Sequence, residues 1–305
     1  MLRCTASALF KSLAVWGGGT MGSGIAQITA QAGVPVTVVE VSQARLDASR
    51  KSIETSLLRI ANKKCDGDQG KMKAFVDTVL SHVTFTTDEA VAAGGAELII
   101  EAIVENIGAK KELFGRLDKM APTSTVFCSN TSSLSITEMA SATTRKDRFA
   151  GMHFFSPVPM MKLLEVVRTE EVSPAIIEQL TAFGKKVGKI PVVAKDTEGF
   201  IVNRLLVPYQ MEACRLVERG VATFRDVDTA MKFGCGYPMG PFELCDSVGI
   251  DVIKFIVDGW HAQYPNEPLF KPSPLINERV AAGKLGKKTG EGYYKYDSKG
   301  RKIES

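Results

Sequence analysis

The chain has 305 residues, is 45% hydrophobic and 24% charged, and sets 38 Lys and Arg against 34 Asp and Glu. That length gives room for two domains, and a net charge of +4 gives no reason to expect a nucleic-acid partner while still allowing a locally basic pocket. No apolar run approaches the roughly eighteen residues of a membrane span, so no integral membrane association is expected. The six cysteines form no CxxC pair and the three histidines leave little room for a metal site, so reduced thiols and no metal are expected.

Residues 1–11 contain Arg3 and Lys11 and no acid, which suits either an ordinary tail or the remnant of a mitochondrial targeting segment. Residues 12–17 then form a short apolar run ending in glycine, 21–32 suit a helix, and 35–40 are β-rich and close on an acid. Gly17, Gly19 and Gly22 occupy GxGxxG positions inside this strand–turn–helix–strand unit. The first glycine permits the tight turn, the second lets backbone approach a pyrophosphate, and the third lets the helix pack on its strand. Glu40, twenty-three residues beyond Gly17, is placed to accept hydrogen bonds from an adenosine ribose and favours NAD over NADP; the plainer alternative is a solvent-facing strand end. Trp16, immediately before the turn, either packs on the helix or constrains the cofactor bed.

Residues 45–64 and 72–80 read as helices, broken at Gly67 and Gly70. The basic end of the first is either a phosphate contact or a solvated charge run. Strands follow at 97–102, 125–129, 149–154, 162–167 and 190–194, with helices at 106–120 and 174–186. This alternation predicts an α/β, Rossmann-like domain over 12–198 with a largely parallel sheet, whose ligands collect beyond the strands' carboxyl ends. Glu105, Ser132 and His153 all sit at such ends. His153 is either a satisfied structural histidine or a general base, and Glu165, on the next apolar run, is either its partner or an outward-facing strand residue.

From 199 the pattern is helical to residue 305: 200–220 with Pro208 as a kink or break, 226–233, 242–260 interrupted near Gly249, and 274–282. The lysine-rich stretch 284–302 is either a solvated tail or a cover for an anionic cofactor. Apolar faces left over in a small helical domain allow pairing with a second copy.

At VWGGGTMGSGIAQ, EAIVEN, SNTSSL, HFFSPVPMMKLLEVV, DTEGFIVNRLL, GYPMGPFEL and GKKTGEGYYKY, in this order and spacing, the chain resembles the L-3-hydroxyacyl-CoA dehydrogenase family, particularly its soluble mitochondrial member of fatty-acid β-oxidation. The resemblance implies NAD as cofactor, a 3-hydroxyacyl-CoA or 3-oxoacyl-CoA substrate, a mitochondrial matrix location (a cytoplasmic one being the alternative), a homodimer formed through the C-terminal domain, and an active site between the domains. It assigns His153 and Glu165 to the catalytic pair and places Ser132 and Asn203 near the reacting substrate. It aligns Glu105, Lys110, Ser132, Ser156 and Lys288 with cofactor contacts, and Ser56 and Lys63 with CoA contacts. Ser156 stands where the family typically has asparagine, Glu198 where it has proline, Gly108 falls within a helix, and Trp16 is larger than its usual counterpart. Three other readings are kept: a 3-hydroxybutyryl-CoA dehydrogenase working mainly in reduction, a non-catalytic NAD-binding protein, and a dehydrogenase of free hydroxy acids.

Overall fold

A computed structural model of the protein describes residues 10–303; most of the proposed N-terminal tail lies outside them. Two compact units divide at Phe200, Met1–Phe200 and Ile201–Ser305.

The first unit runs β1 (Leu13–Trp16), α1 (Thr20–Gln31), β2 (Val36–Val39), α2 (Gln43–Lys64), α3 (Gln69–Leu80), β3 (Val83–Thr86), α4 (Glu89–Gly94), β4 (Leu98–Glu101), α5 (Ile107–Met120), β5 (Val126–Ser129), α6 (Ile136–Ala140), β6 (Phe149–Phe154), β7 (Leu163–Arg168), α7 (Pro174–Lys186) and β8 (Ile190–Lys195). The eight strands form one sheet in the order β3-β2-β1-β4-β5-β6-β7-β8. Its central strands are near-continuous apolar runs because both faces are covered. Alternate residues feed opposite cores: Leu13, Val15, Leu98, Ile100, Val126 and Cys128 on one side, Ala14, Trp16, Ile99 and Phe127 on the other.

All neighbouring strands are parallel except β6 and β7. Only residues 155–162 join that pair, too few for the crossover helix that parallel strands need. The sequence reading missed β3, α4 and α6. The first is a four-residue edge strand with one buried residue, and the helices have six and five residues, too short to express a helical period. Gly108 falls in the first turn of α5, two residues after the Asn106 cap. N–H groups there have no intrahelical partner in any case, so the interior penalty expected for glycine does not fully apply.

The second unit comprises α8 (Val202–Glu218), α9 (Phe224–Cys235), α10 (Pro241–Val248), α11 (Ile250–Gln263), α12 (Pro274–Ala281) and the short pair β9 (Lys295–Tyr296) and β10 (Lys302–Ile303). Helix α8 continues through Pro208 where a break was an option. Burial of Val207, Met211, Ala213 and Cys214 around the proline offsets the hydrogen bond it removes. The expectation of a solvated tail fails for Tyr293, Tyr294 and Tyr296, which are buried in the helical core. Two buried carboxylates hold them. Asp246 accepts from the backbone N–H of Tyr293 and Tyr294 and from the Tyr296 hydroxyl, each at 2.9 Å. Asp228 accepts from the Tyr294 hydroxyl at 2.8 Å and caps α10 through the N–H groups of Phe242 and Glu243. Among the described residues no helix is long and apolar enough to cross a membrane.

Candidate active site

The glycine turn between β1 and α1 is built as its spacing implies. Gly17 has φ +95°, and a Cβ on Gly22 would lie 1.7 Å from the Gly17 carbonyl oxygen. Neither position admits a side chain without moving the turn. Gly19 has open space where its Cβ would stand, and it starts α1 with no side-chain cap and no acid in the first turn. The helix N-terminus therefore keeps its backbone donors and positive dipole end for an anion.

A cleft of about 810 Å³ opens beside this turn, lined by Trp16, Gly17, Gly19, Glu40, Glu89 and Arg116 among others. Glu40 anchors its carboxylate on the turn itself, accepting from Gly18 N–H at 2.8 Å and Val41 N–H at 3.1 Å. A carboxylate has about four acceptor positions, so capacity remains for ribose hydroxyls. Trp16 is buried in the core and directs its indole N–H to Glu89 at 3.4 Å. Glu89 in turn pairs with Arg116. Residues and cleft together fit a dinucleotide.

Beyond β4 and β5, Glu105, Lys110 and Ser132 come together. Glu105 accepts from Thr131 Oγ1 at 2.5 Å and from Ser132 N–H at 3.1 Å, and its other oxygen pairs with Lys110 Nζ at 3.1 Å. Burial alone would push the Glu105 carboxyl up, but the Lys110 charge and these donors hold it below the ordinary carboxylate range. The Lys110 side chain is 1% exposed and also pairs with Glu101 at 2.7 Å. Sequence reasoning singled out Glu105 in EAIVEN and passed over Glu101; a carboxylate ending a fully apolar strand was the signal available.

The antiparallel register of β6 and β7 sets His153 directly opposite Glu165. The His153 Nδ1–Glu165 Oε2 distance is 2.7 Å, with Glu165 fully buried and His153 6% exposed. With the carboxylate ionised, Nδ1 carries the proton and donates, so Nε2 is the ring nitrogen able to take another. Two aromatic rings flank the imidazole: Phe155 at 4.4 Å and Phe200 at 5.7 Å between centroids. Phe200 reaches it from a left-handed backbone conformation (φ 53°), uncommon for a bulky residue. Neither ring was singled out from sequence. Asn130 Oδ1 accepts from Phe154 N–H at 2.9 Å, tying the exit of β5 to the residue after His153.

A second cleft, about 540 Å³, lies along α2 and is lined by Lys51, Ser52, Ser56, Arg59, Gln27 and residues 157–159 among others. Lys63 is exposed on the same helix, two turns from Ser56, and does not line this cleft. Lys51 and Arg59, eight residues apart and so on one helical face, supply its positive charge; that spacing was readable in the sequence and was not used. Ser156 is exposed at the head of the segment bordering this cleft and joins Pro157 through a cis peptide bond. In the second unit, Asn203 lies in the first turn of α8. Lys288 is half-exposed and pairs with Asp251 at 2.6 Å.

Comparison with known proteins covers both units. Residues 12–197 match the NAD binding domain of 3-hydroxyacyl-CoA dehydrogenase and residues 199–296 its C-terminal domain. The mitochondrial hydroxyacyl-coenzyme A dehydrogenases of Rattus norvegicus and Homo sapiens are 57% and 55% identical to it over 288 residues, covering 94% of this chain and 92% of theirs. Among solved structures, the (S)-3-hydroxybutyryl-CoA dehydrogenase of Ralstonia eutropha superposes with a TM-score of 0.89 at 35% identity, covering 95% of this chain and all of that one. With a cofactor turn, a buried histidine–carboxylate pair and both domain matches in the same order, the chain belongs to the 3-hydroxyacyl-CoA dehydrogenase family of NAD-dependent dehydrogenases.

Proposed function

We propose that this protein catalyses the reversible, NAD-dependent oxidation of an L-3-hydroxyacyl-CoA to the 3-oxoacyl-CoA. The observation that carries the reading is the His153–Glu165 pair: a buried carboxylate 2.7 Å from one ring nitrogen leaves the other to act as base. NAD, when bound, supplies the hydride acceptor at C4 of its nicotinamide. His153 Nε2 takes the proton of the 3-hydroxyl as C3 becomes a carbonyl carbon, and returns it in the reductive direction. Glu165 keeps the proton on Nδ1 and stabilises the positive charge that develops on the ring. Ser132 and Asn203 position the hydroxyl and thioester carbonyl, limiting the freedom lost in the transition state.

Glu40 and the glycine turn hold the adenosine and pyrophosphate portion. Glu105, Ser156 and Lys288 serve the cofactor, Glu105 from beyond β4 with Lys110 paired behind it. Ser56 with Lys51 and Arg59 takes part of the CoA moiety, whose phosphates need the positive charge that this face of α2 supplies; Lys63 extends the same helix toward its basic end. Residues 12–198 act as the cofactor domain and 199–305 as the dimerisation domain. A homodimer through the second unit is supported by apolar side chains left exposed on its helices, Leu205 at 69%, Phe233 at 85% and Phe255 at 64%, which a second copy would cover. The mitochondrial relatives favour a mitochondrial location, with the matrix as the compartment proposed.

A second reading is a 3-hydroxybutyryl-CoA dehydrogenase working mainly in reduction; the name of the Ralstonia eutropha relative supports its four-carbon substrate. The deciding experiment follows loss of the reduced-nicotinamide absorbance band with acetoacetyl-CoA, comparing NADH with NADPH and wild type with His153→Ala. Rapid NADH consumption abolished by the substitution supports the reaction and its base. A folded protein that binds NADH and consumes none is not this enzyme. Rates across acyl lengths then separate the two readings.

A further inference from the structure

Two charged side chains, Glu101 and Lys110, are 0% and 1% exposed and so offer a ligand almost no surface. They close a circuit of hydrogen bonds behind the proposed site. Glu101 Oε2 accepts from Ser129 Oγ at 2.6 Å, and Ser129 Oγ accepts from Thr131 N–H at 3.2 Å. Thr131 Oγ1 donates to Glu105 at 2.5 Å. Lys110 Nζ joins Glu105 at 3.1 Å to Glu101 at 2.7 Å, completing the ring. Glu101 Oε1 also accepts from Ile103 N–H at 2.7 Å, which turns the chain as it leaves β4. The parallel register of β4 and β5 makes this possible by setting Glu101 beside Ser129.

Burying an ion pair is a poor way to gain stability, because desolvation offsets most of the attraction and apolar residues hold strands together as well. Apolar packing does not fix the direction of a carboxylate or a backbone N–H; a ring of short, directional bonds does. Ser132 N–H and Ser133 Oγ both hang from the Glu105 oxygen that Thr131 engages, so the 131–133 turn takes its position from the ring. Asn130, between Ser129 and Thr131, carries the same constraint to the backbone beside His153.

We propose that Glu101 and Lys110 are positioning residues of the dehydrogenase reaction: the circuit they close fixes Glu105 and the 131–133 turn, and thereby Ser132, at the reacting end of the cofactor site. Lys110 then acts through Glu105 in place of the cofactor contact that family resemblance implies. The proposal rests on the reading of Ser132 given above.

The test uses full-length Glu101→Gln and Ser132→Ala, measuring kcat with acetoacetyl-CoA, NADH affinity by nicotinamide fluorescence, ADP-ribose affinity by competition, and thermal stability. For Glu101→Gln we expect kcat to fall about tenfold and NADH to bind about fivefold more weakly, with ADP-ribose affinity within about twofold of wild type, because the glycine turn and Glu40 lie outside the circuit. A merely structural role would weaken both ligands together, and that result overturns the proposal, as does wild-type kcat with wild-type NADH affinity. Wild-type kcat in Ser132→Ala refutes the reading of Ser132 and the proposal with it. A slow Ser132→Ala beside an unaffected Glu101→Gln refutes the circuit alone. If Glu101→Gln does not fold, the double variant Glu101→Gln/Lys110→Met removes both buried charges and is judged on the same readouts. Failure of that variant to fold as well assigns the circuit to folding and overturns a role in positioning.

Discussion

Replacing Glu165 by Gln isolates the electrostatic part of the proposed base from its shape. The side chain is fully buried, opposite His153 in the register, and 2.7 Å from its Nδ1. With charge centres about 4 Å apart and an effective dielectric near 20, a full imidazolium gains about 4 kcal/mol from the carboxylate. A transition state with the proton half transferred gains about 2 kcal/mol, or roughly thirtyfold in rate. Glutamine adds a second loss. Its amide can donate to Nδ1, which would leave the proton on Nε2 and the ring in the wrong tautomer, so thirtyfold is the lower figure. The upper bound is the whole contribution of a general base, about 10² to 10⁴. The assay is steady-state oxidation of 3-hydroxybutyryl-CoA, with NADH affinity and thermal stability measured on the same preparations. The expected result is a depressed kcat with NADH affinity near wild type. A kcat within about threefold of wild type would refute the electrostatic argument, and so would a loss that merely follows the fraction of unfolded protein.

Other expectations follow from different parts of the molecule. His153→Ala should lose about 10² to 10⁴ in kcat while NADH titration of its fluorescence stays near wild type, since the glycine turn is untouched. Glu40→Ala should relax discrimination against NADPH, read as the ratio of kcat/KM for the two cofactors; an unchanged ratio removes Glu40 from ribose recognition. Asp246→Ala strands two buried backbone N–H groups and the Tyr296 hydroxyl, and should cost on the order of 3 kcal/mol or more in urea unfolding. Glu105 is held below its ordinary value of 4.5, so its ionised form stabilises the fold above that pH and the contribution is lost as pH falls through the depressed value. The stability difference between wild type and Glu105→Gln should therefore be constant near neutrality and shrink in acid below about pH 4.5; a difference independent of pH would show that charge plays no part.

The sequence by itself determined the features written in local chemistry. Glycine at 17, 19 and 22, set between an apolar run and a helical one, specified a phosphate-binding turn, because the backbone at Gly17 and the close packing at Gly22 admit only glycine and Gly19 leaves room for a ligand to approach. Alternating strand and helix patterns specified a parallel sheet, and the loss of that alternation near residue 199 marked where the helical part begins. His153 and Glu165 were visible as polar residues on apolar runs, but a separation of twelve residues fits many geometries. The tertiary structure decided that β6 and β7 are antiparallel and in register, which makes the pair a contact. It also decided that Glu101, one more polar residue at a strand end, closes a circuit through Ser129, Thr131, Glu105 and Lys110. The partners of Asp246 lie about fifty positions downstream, and that separation is why Tyr293 to Tyr296 read as a tail and fold as core. Residues that act through their own backbone or immediate neighbours declare themselves in sequence; those that act through a partner brought by the sheet do not, because strand register is set by the packing of the whole unit.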